Sequence, residues 1–287
     1  MTQFPVILKD QEPLPSYALK LLLSLVEQHP DTIPTLVGQG FMHQITPVIQ
    51  THTGNPSGGV VQSIVGIIAC ITASKHVDMN MLYYEGLIDH VTAIFVDVAT
   101  AANDILDAAN SNELFLPLLE IVTNILKHLS RAVRRALQAK TSGEPSSQEY
   151  EDIAERLLQD SRPLSDFTGV LIQFLCHSDP EVRDSSLKCL YLVAELFGGE
   201  YEDVLADENI DSFAEALGSF DSKQKKQILR VIKRVLTSVE EHAQTLRDHG
   251  GVLLDAIRAC KDSKGSSPDD VAVQTLAKEI LGKVGST

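Results

Sequence analysis

An all-α fold, laid out as a right-handed α-solenoid of stacked helical repeats, is predicted by three observations. A short phrase, a small or polar residue opening an apolar helix, returns along the 287 residues. Hydrophobic content is 44% with only 5% aromatic residues and no Trp, so the apolar surface is mainly Leu, Ile, Val and Ala, which pack well between helices. The long segments between phrases carry apolar residues at helical spacing. A unit of two or three helices cannot bury its apolar face alone, and stacking copies leaves a groove suited to partners rather than to chemistry.

The phrase appears as Gly40-Phe41-Met42, Gly86-Leu87-Ile88, Asp166-Phe167-Thr168, Asn209-Ile210-Asp211 and Gly251-Val252-Leu253. From anchor 41 to 87 is 46 residues, 87 to 167 is 80, 167 to 210 is 43 and 210 to 252 is 42. Three of the four steps match the roughly 40–47 residues of armadillo and HEAT repeats. The chain is therefore expected to be one armadillo-like solenoid over 1–287 with about five to six repeats.

Each repeat reads as a short helix, a second helix opened by the phrase, and a longer third. The first strong helix, Ser16 to Gln28, has the character of a third helix with no partners before it, so the chain is expected to begin mid-repeat. Thr32 to Val37, Phe41 to Ile49 and Val60 to Ala73 make the next repeat, with Pro34 and Pro47 each removing a backbone donor and expected to bend or end a helix. Met79 to Tyr84 and Leu87 to Val98 begin another. The 80-residue step holds a helix from Glu113 to about Ala139, a Gly/Pro/Ser loop near 141–148 read as flexible, and Tyr150 to Leu158. It is one enlarged repeat, or two with a degenerate phrase at Leu114-Phe115-Leu116-Pro117. In the fullest copy Asp166 to His177 is the second helix, and Ser178-Asp179-Pro180 caps a third running to Phe197, with Gly198-Gly199 stopping it. Tyr201 to Ala206, Ile210 to Leu217 and Gln224 to Val239 follow, and Glu240 to Asp248, Val252 to Cys260 and Asp269 to Val284 form the last.

The formal charge of −15 repels polyphosphate and anionic membrane surfaces, so nucleic acid is not an expected partner. The most apolar run, Val60 to Ala73, is shorter than the roughly 20 residues that a bilayer demands. No membrane insertion is expected. Cysteines 70, 176, 189 and 260 form no zinc-ligand spacing, and no cofactor or metal is expected. Cys176 and Cys189 continue apolar stripes and read as small core residues, and His43 and His90 read as equivalent structural positions in successive repeats. With no signal peptide and no glycosylation acceptor, since Asn55-Pro56-Ser57 is blocked by its Pro, a reducing cytoplasmic location is expected. No nucleophile and base converge, so no catalytic residue is assigned and the chain is not read as an enzyme.

Against this acidic background, cations gather on two helices. Lys226, Arg230, Lys233 and Arg234 lie on one, where spacings of four and three place them on a shared face. Lys127, Arg131, Arg134 and Arg135 form a second cluster, and Lys188 lies on the intervening long helix. If the third helices line a concave groove, these nine residues make a stripe for other proteins, specifically acidic peptides or tubulin tails. The alternative is a solvated face on each helix that keeps a long rod soluble.

At Glu12-Pro13-Leu14-Pro15-Ser16-Tyr17-Ala18-Leu19-Lys20-Leu21-Leu22, continuing through Ser24-Leu25-Val26-Glu27-Gln28-His29-Pro30, the chain resembles the C-terminal armadillo-type region of the Fused and Unc-51-like kinase group. The resemblance implies a longer parent with an N-terminal kinase or pseudokinase domain, for which this region is a scaffold in ciliary, microtubule or Hedgehog-type signalling. No family active-site residue transfers, since the chain has no Gly-rich phosphate loop, no His-Arg-Asp loop and no Asp-Phe-Gly triplet. A second reading makes it a regulatory or dimerisation segment whose leading helix docks through Tyr17, Leu21 and Leu25 on that catalytic domain.

Overall fold

Two glycines mark how the repeating phrase works. Gly40 and Gly86 have φ of 73° and 84°, a left-handed backbone that a side chain at Cβ disfavours, and each turns the chain sharply from a short helix into the next. The residue after each glycine, Phe41 or Leu87, is then driven fully into the core. The computed structural model describes residues 4–52, 55, 58–100 and 112–286, and no strand occurs among them. The chain forms two compact units, Met1–Pro163 and Leu164–Thr287.

The first unit contains α1 (Phe4–Ile7), α2 (Leu14–Gln28), α3 (Ile33–Gly38), α4 (Phe41–Thr51), α5 (Gly59–Ala73), α6 (Met79–Tyr84), α7 (Leu87–Thr100), α8 (Asn112–Ser142) and α9 (Ser147–Asp160). The third helices make one layer, with α2 on α5 and α5 on α8; the second helices make another, with α4 on α7. Helix α5 is covered on most of its circumference, burying Ile64, Val65, Ile67, Ile68 and Ile71 completely, as its almost wholly apolar sequence requires. Each such side chain contributes about 1.5–3 kcal/mol by leaving water. Helix α9 packs along α8 and lengthens this repeat. The phrase at Leu114-Phe115-Leu116-Pro117 lies inside α8 near its start, and no second helix begins there.

Pro34 stands in the first turn of α3, where no intrahelical bond is lost, and so does not break it. Pro47 lies inside α4, which continues to Thr51. His43 and His90 are not equivalent. His90 is 7% exposed, with Nε2 2.8 Å from the Thr46 hydroxyl, and ties α7 to α4; His43 is exposed. His43 is the third residue after its glycine and His90 the fourth, and one residue turns a side chain about 100° around a helix.

The second unit follows the predicted grammar closely. It contains α10 (Thr168–Gln173), α11 (Pro180–Phe197), α12 (Asp207–Ser219), α13 (Ser222–Ser238), α14 (Glu241–His249), α15 (Gly251–Lys261) and α16 (Pro268–Ser286). Its third helices begin at residues 180, 222 and 268, steps of 42 and 46. They pack in a layer α11, α13, α16, backed by a layer α10, α12, α15. Asp179 caps α11 by accepting from the Glu181 amide at 2.7 Å, and Asp221 and Gln224 form a reciprocal capping box on α13. Two anchors depart from expectation. Phe167 is buried but closes a 3-10 turn, Arg162–Phe167, just ahead of α10. Val252 is 61% exposed while Leu253 is fully buried, so in the last repeat the core residue falls one place later.

Candidate functional site

The basic face of α13 is a product of its amphipathic sequence. Ile228, Leu229, Val231, Ile232, Val235 and Leu236 are buried against neighbouring helices, which leaves Lys226, Arg230, Lys233 and Arg234 on the opposite side. The four cations then have different fates. Lys226 is ion-paired with Asp269 and Lys233 with Glu279 at 2.9 Å, both acids belonging to α16. Arg234 donates from Nε to the Ala194 carbonyl of α11 at 3.4 Å. Arg230 is exposed and makes no ion pair or hydrogen bond among the described residues.

Arg230, Lys233 and Arg234 come together with Tyr191, Glu195, Thr237 and Leu276 around a cleft of about 340 Å³. It offers a net positive wall with an aromatic face and an aliphatic floor. Lys188 is exposed on α11, one turn before Tyr191, and does not line the cleft. Further bonds hold the layer rigid: Gln224 donates to Asp184 of α11 at 2.6 Å, and Ser222 donates to Asp270 of α16. The hydroxyls and amide around Asp270 hold its carboxyl below the usual range.

In the first unit, Lys127, Arg131, Arg134 and Arg135 follow one another along α8 and are all exposed. Arg135 bonds Glu144 at 2.8 Å and lies over the Tyr150 ring of α9 at 4.6 Å, so it fastens the turn between α8 and α9. Arg131 lines a second cleft, of about 440 Å³, between the end of α5, the start of α6 and the face of α8 that carries Asn124 and His128. Asn124, His128, Tyr191 and Glu195 were not among the residues singled out from sequence. The spacing of 124, 128 and 131, steps of four and three ending on Arg131, is the signal that marks this face.

No group of three or more His, Cys, Asp or Glu able to hold a metal ion occurs among the described residues. Burial, helped by the Glu215 carboxylate, pushes the Cys176 thiol up to about 11, and burial also raises Cys70 and Cys260. These thiols are poor nucleophiles at neutral pH. No described helix is long and apolar enough to cross a membrane.

Layered short, second and third helices with a surface cleft on the third-helix layer define a helical-repeat protein of the armadillo/HEAT class. The fold is similar to that of two designed armadillo repeat proteins, one of them computationally designed for modular peptide recognition. The TM-scores are 0.52 and 0.54 at 16% identity, with 98% of this chain and 98% of each of those chains covered. Residues 1–34 match the family described as serine/threonine-protein kinase ULK4-like, HEAT repeats. Over 257 residues, 88% of its length, the chain is 35% identical to mouse serine/threonine-protein kinase ULK4. It spans about a fifth of that relative's length (20%). The chain is a ULK4-like HEAT/armadillo region.

Proposed function

We propose that this region is a protein-interaction scaffold whose third-helix layer takes acidic segments of partner proteins. The single observation that carries the reading is the cleft beside α11 and α13, where the unpaired Arg230 and the backbone-anchored Arg234 stand next to Tyr191. Guanidinium groups beside an aromatic ring favour carboxylates held in an extended peptide. Peptide recognition by a designed protein of the same fold supports the class of ligand. Similarity to a kinase about four and a half times as long supports a setting in which the region brings partners to a kinase or pseudokinase domain, with ciliary or cytoskeletal proteins, including acidic tubulin tails, as the partners to test first. The exposed cations Lys127, Arg131 and Arg134 of the first unit, and Lys188 with Arg230 of the second, belong to the same proposal, each within its own unit.

The test is fluorescence anisotropy with a blocked hexaglutamate peptide at low salt. The pair Arg230→Glu and Arg234→Glu is expected to weaken binding by about tenfold or more, with helical circular dichroism unchanged. Equal affinity in wild type and variant removes this cleft from the reading.

A second reading has its own observation. Tyr17, Leu21 and Leu25 on α2 are 66%, 73% and 37% exposed and lie on one stripe of the helix, which Leu14, 50% exposed, extends toward its start. That stripe is a candidate docking face for a catalytic domain or a further helical repeat of a longer chain.

A further inference from the structure

The cleft of the first unit contains polar groups that the fold itself leaves unsatisfied. Asn124 and His128 are among the residues that line it, and their Nδ2 and Nε2 atoms, which solvent does not reach, have no hydrogen-bond partner among the described residues. A buried polar atom without a partner costs about 1–3 kcal/mol, so two on one helix face, one turn apart, favour a ligand toward which both side chains can turn. The Tyr83 ring, with its centroid 6.3 Å from that of His128, closes one side of the imidazole. Lys75 and Arg131 stand at the rim, both exposed and without an ion pair among the described residues.

Charge narrows the ligand. Lys75 and Arg131 bring two positive charges and Asp78 one negative, and the Asp78 carboxylate is engaged in capping α6 through the Asn80 amide at 2.9 Å. The remaining charge of about one suits a single carboxylate, whereas a phosphate dianion would leave the cleft negative. Burial, reinforced by Arg131, holds the His128 imidazole below its ordinary range, so near neutral pH it is uncharged, and its Nε2 serves as a donor in the tautomer that carries the proton there.

We propose that this cleft is a carboxylate pocket, in which the side chain of a glutamate or aspartate from a partner peptide pairs with Arg131 and, as the Asn124 amide and the His128 ring turn toward it, accepts hydrogen bonds from Asn124 Nδ2 and His128 Nε2. The pocket rests on the scaffold reading only for the source of the carboxylate. Its geometry is independent of the α13 cleft. An occupant there couples the end of α5, the start of α6 and the middle of α8 through one bound group.

The experiment is a nitrogen-15 NMR titration of the full chain with a blocked diglutamate peptide and, separately, with free glutarate. The expected result is movement of the Asn124 side-chain amide and the His128 ring nitrogens with the peptide. Arg131→Gln, at an exposed position, is expected to weaken that response by about tenfold. The Arg230→Glu and Arg234→Glu variant is expected to leave it unchanged, which separates failure of the other cleft from failure of this one. Movement with glutarate but not with the peptide overturns the assignment to a partner protein, and movement with neither overturns the pocket.

Discussion

The cation clusters on α8 and α13 read alike in sequence, and the structure treats them differently. On α13 the neighbouring α16 brings Asp269 and Glu279 onto Lys226 and Lys233, so half of the cluster serves to join two third helices. On α8 the neighbouring α9 takes only Arg135, through Glu144 and Tyr150, and Arg131 is left facing a cleft with orphan donors. A basic run therefore divides into mortar and recognition surface according to which acids the next helix presents. Spacing identifies the shared face; the partner helix decides which charges remain available.

The sharpest way to break this comparison is to separate the two faces of α13. Ile232→Ala removes a side chain that is 1% exposed and should cost about 2–5 kcal/mol, seen as a lowered midpoint in chemical denaturation. A loss no larger than that of a surface substitution would mean that this helix is not packed as described. A smaller effect distinguishes the cations themselves. Lys226→Ala should cost about 0.5–1 kcal/mol by breaking its partly exposed pair with Asp269, whereas Arg230→Ala should stay within about 0.5 kcal/mol of wild type. Equal costs for the two would erase the distinction between structural and available charge.

The smallest expected effect is a pH dependence in the first unit. His128 has a folded pKa below its ordinary value because of burial and Arg131, with Asp78 opposing weakly. The unfolded chain thus binds more protons than the folded one as pH falls through the ordinary histidine range, and stability declines in that direction. His177 contributes in the same sense in the second unit, again through burial. Comparing melting temperatures at pH 7.5 and 5.5 for wild type and His128→Gln isolates the first contribution, and the variant should lose less on acidification. Identical losses would show that His128 is not desolvated as described.

Much of the fold was legible because its signals are local. Pro180 after Asp179, the box of Asp221 and Gln224, and the stripe Val182, Leu187, Leu190, Val193, Ala194 and Phe197 each act within a few residues, and the structure buries every member of that stripe. The exceptions came from small phase errors. Val252 reads as the anchor where Leu253 fills that place, and His43 reads as the counterpart of His90, because a glycine turn allows the following helix to start one residue earlier or later. Half of the candidate surface was legible too: the cations could be placed on their faces, but Tyr191, Asn124 and His128 carry no charge pattern to draw attention to them.

The sequence by itself determined that the chain is helical, where its third helices start, which side of each is apolar and that its positive charge is concentrated on two of them. Helical periodicity and capping depend on neighbours within about one turn, and those neighbours are written in order along the chain. Only the tertiary structure decided that Lys226 and Lys233 are neutralised, and that Arg230 and the Nδ2 and Nε2 atoms of the cleft residues Asn124 and His128 have no partner among the described residues. Those outcomes depend on groups about 50 residues apart coming together, Lys233 with Glu279 in an ion pair and Lys75 with His128 around one cleft, which no local pattern specifies.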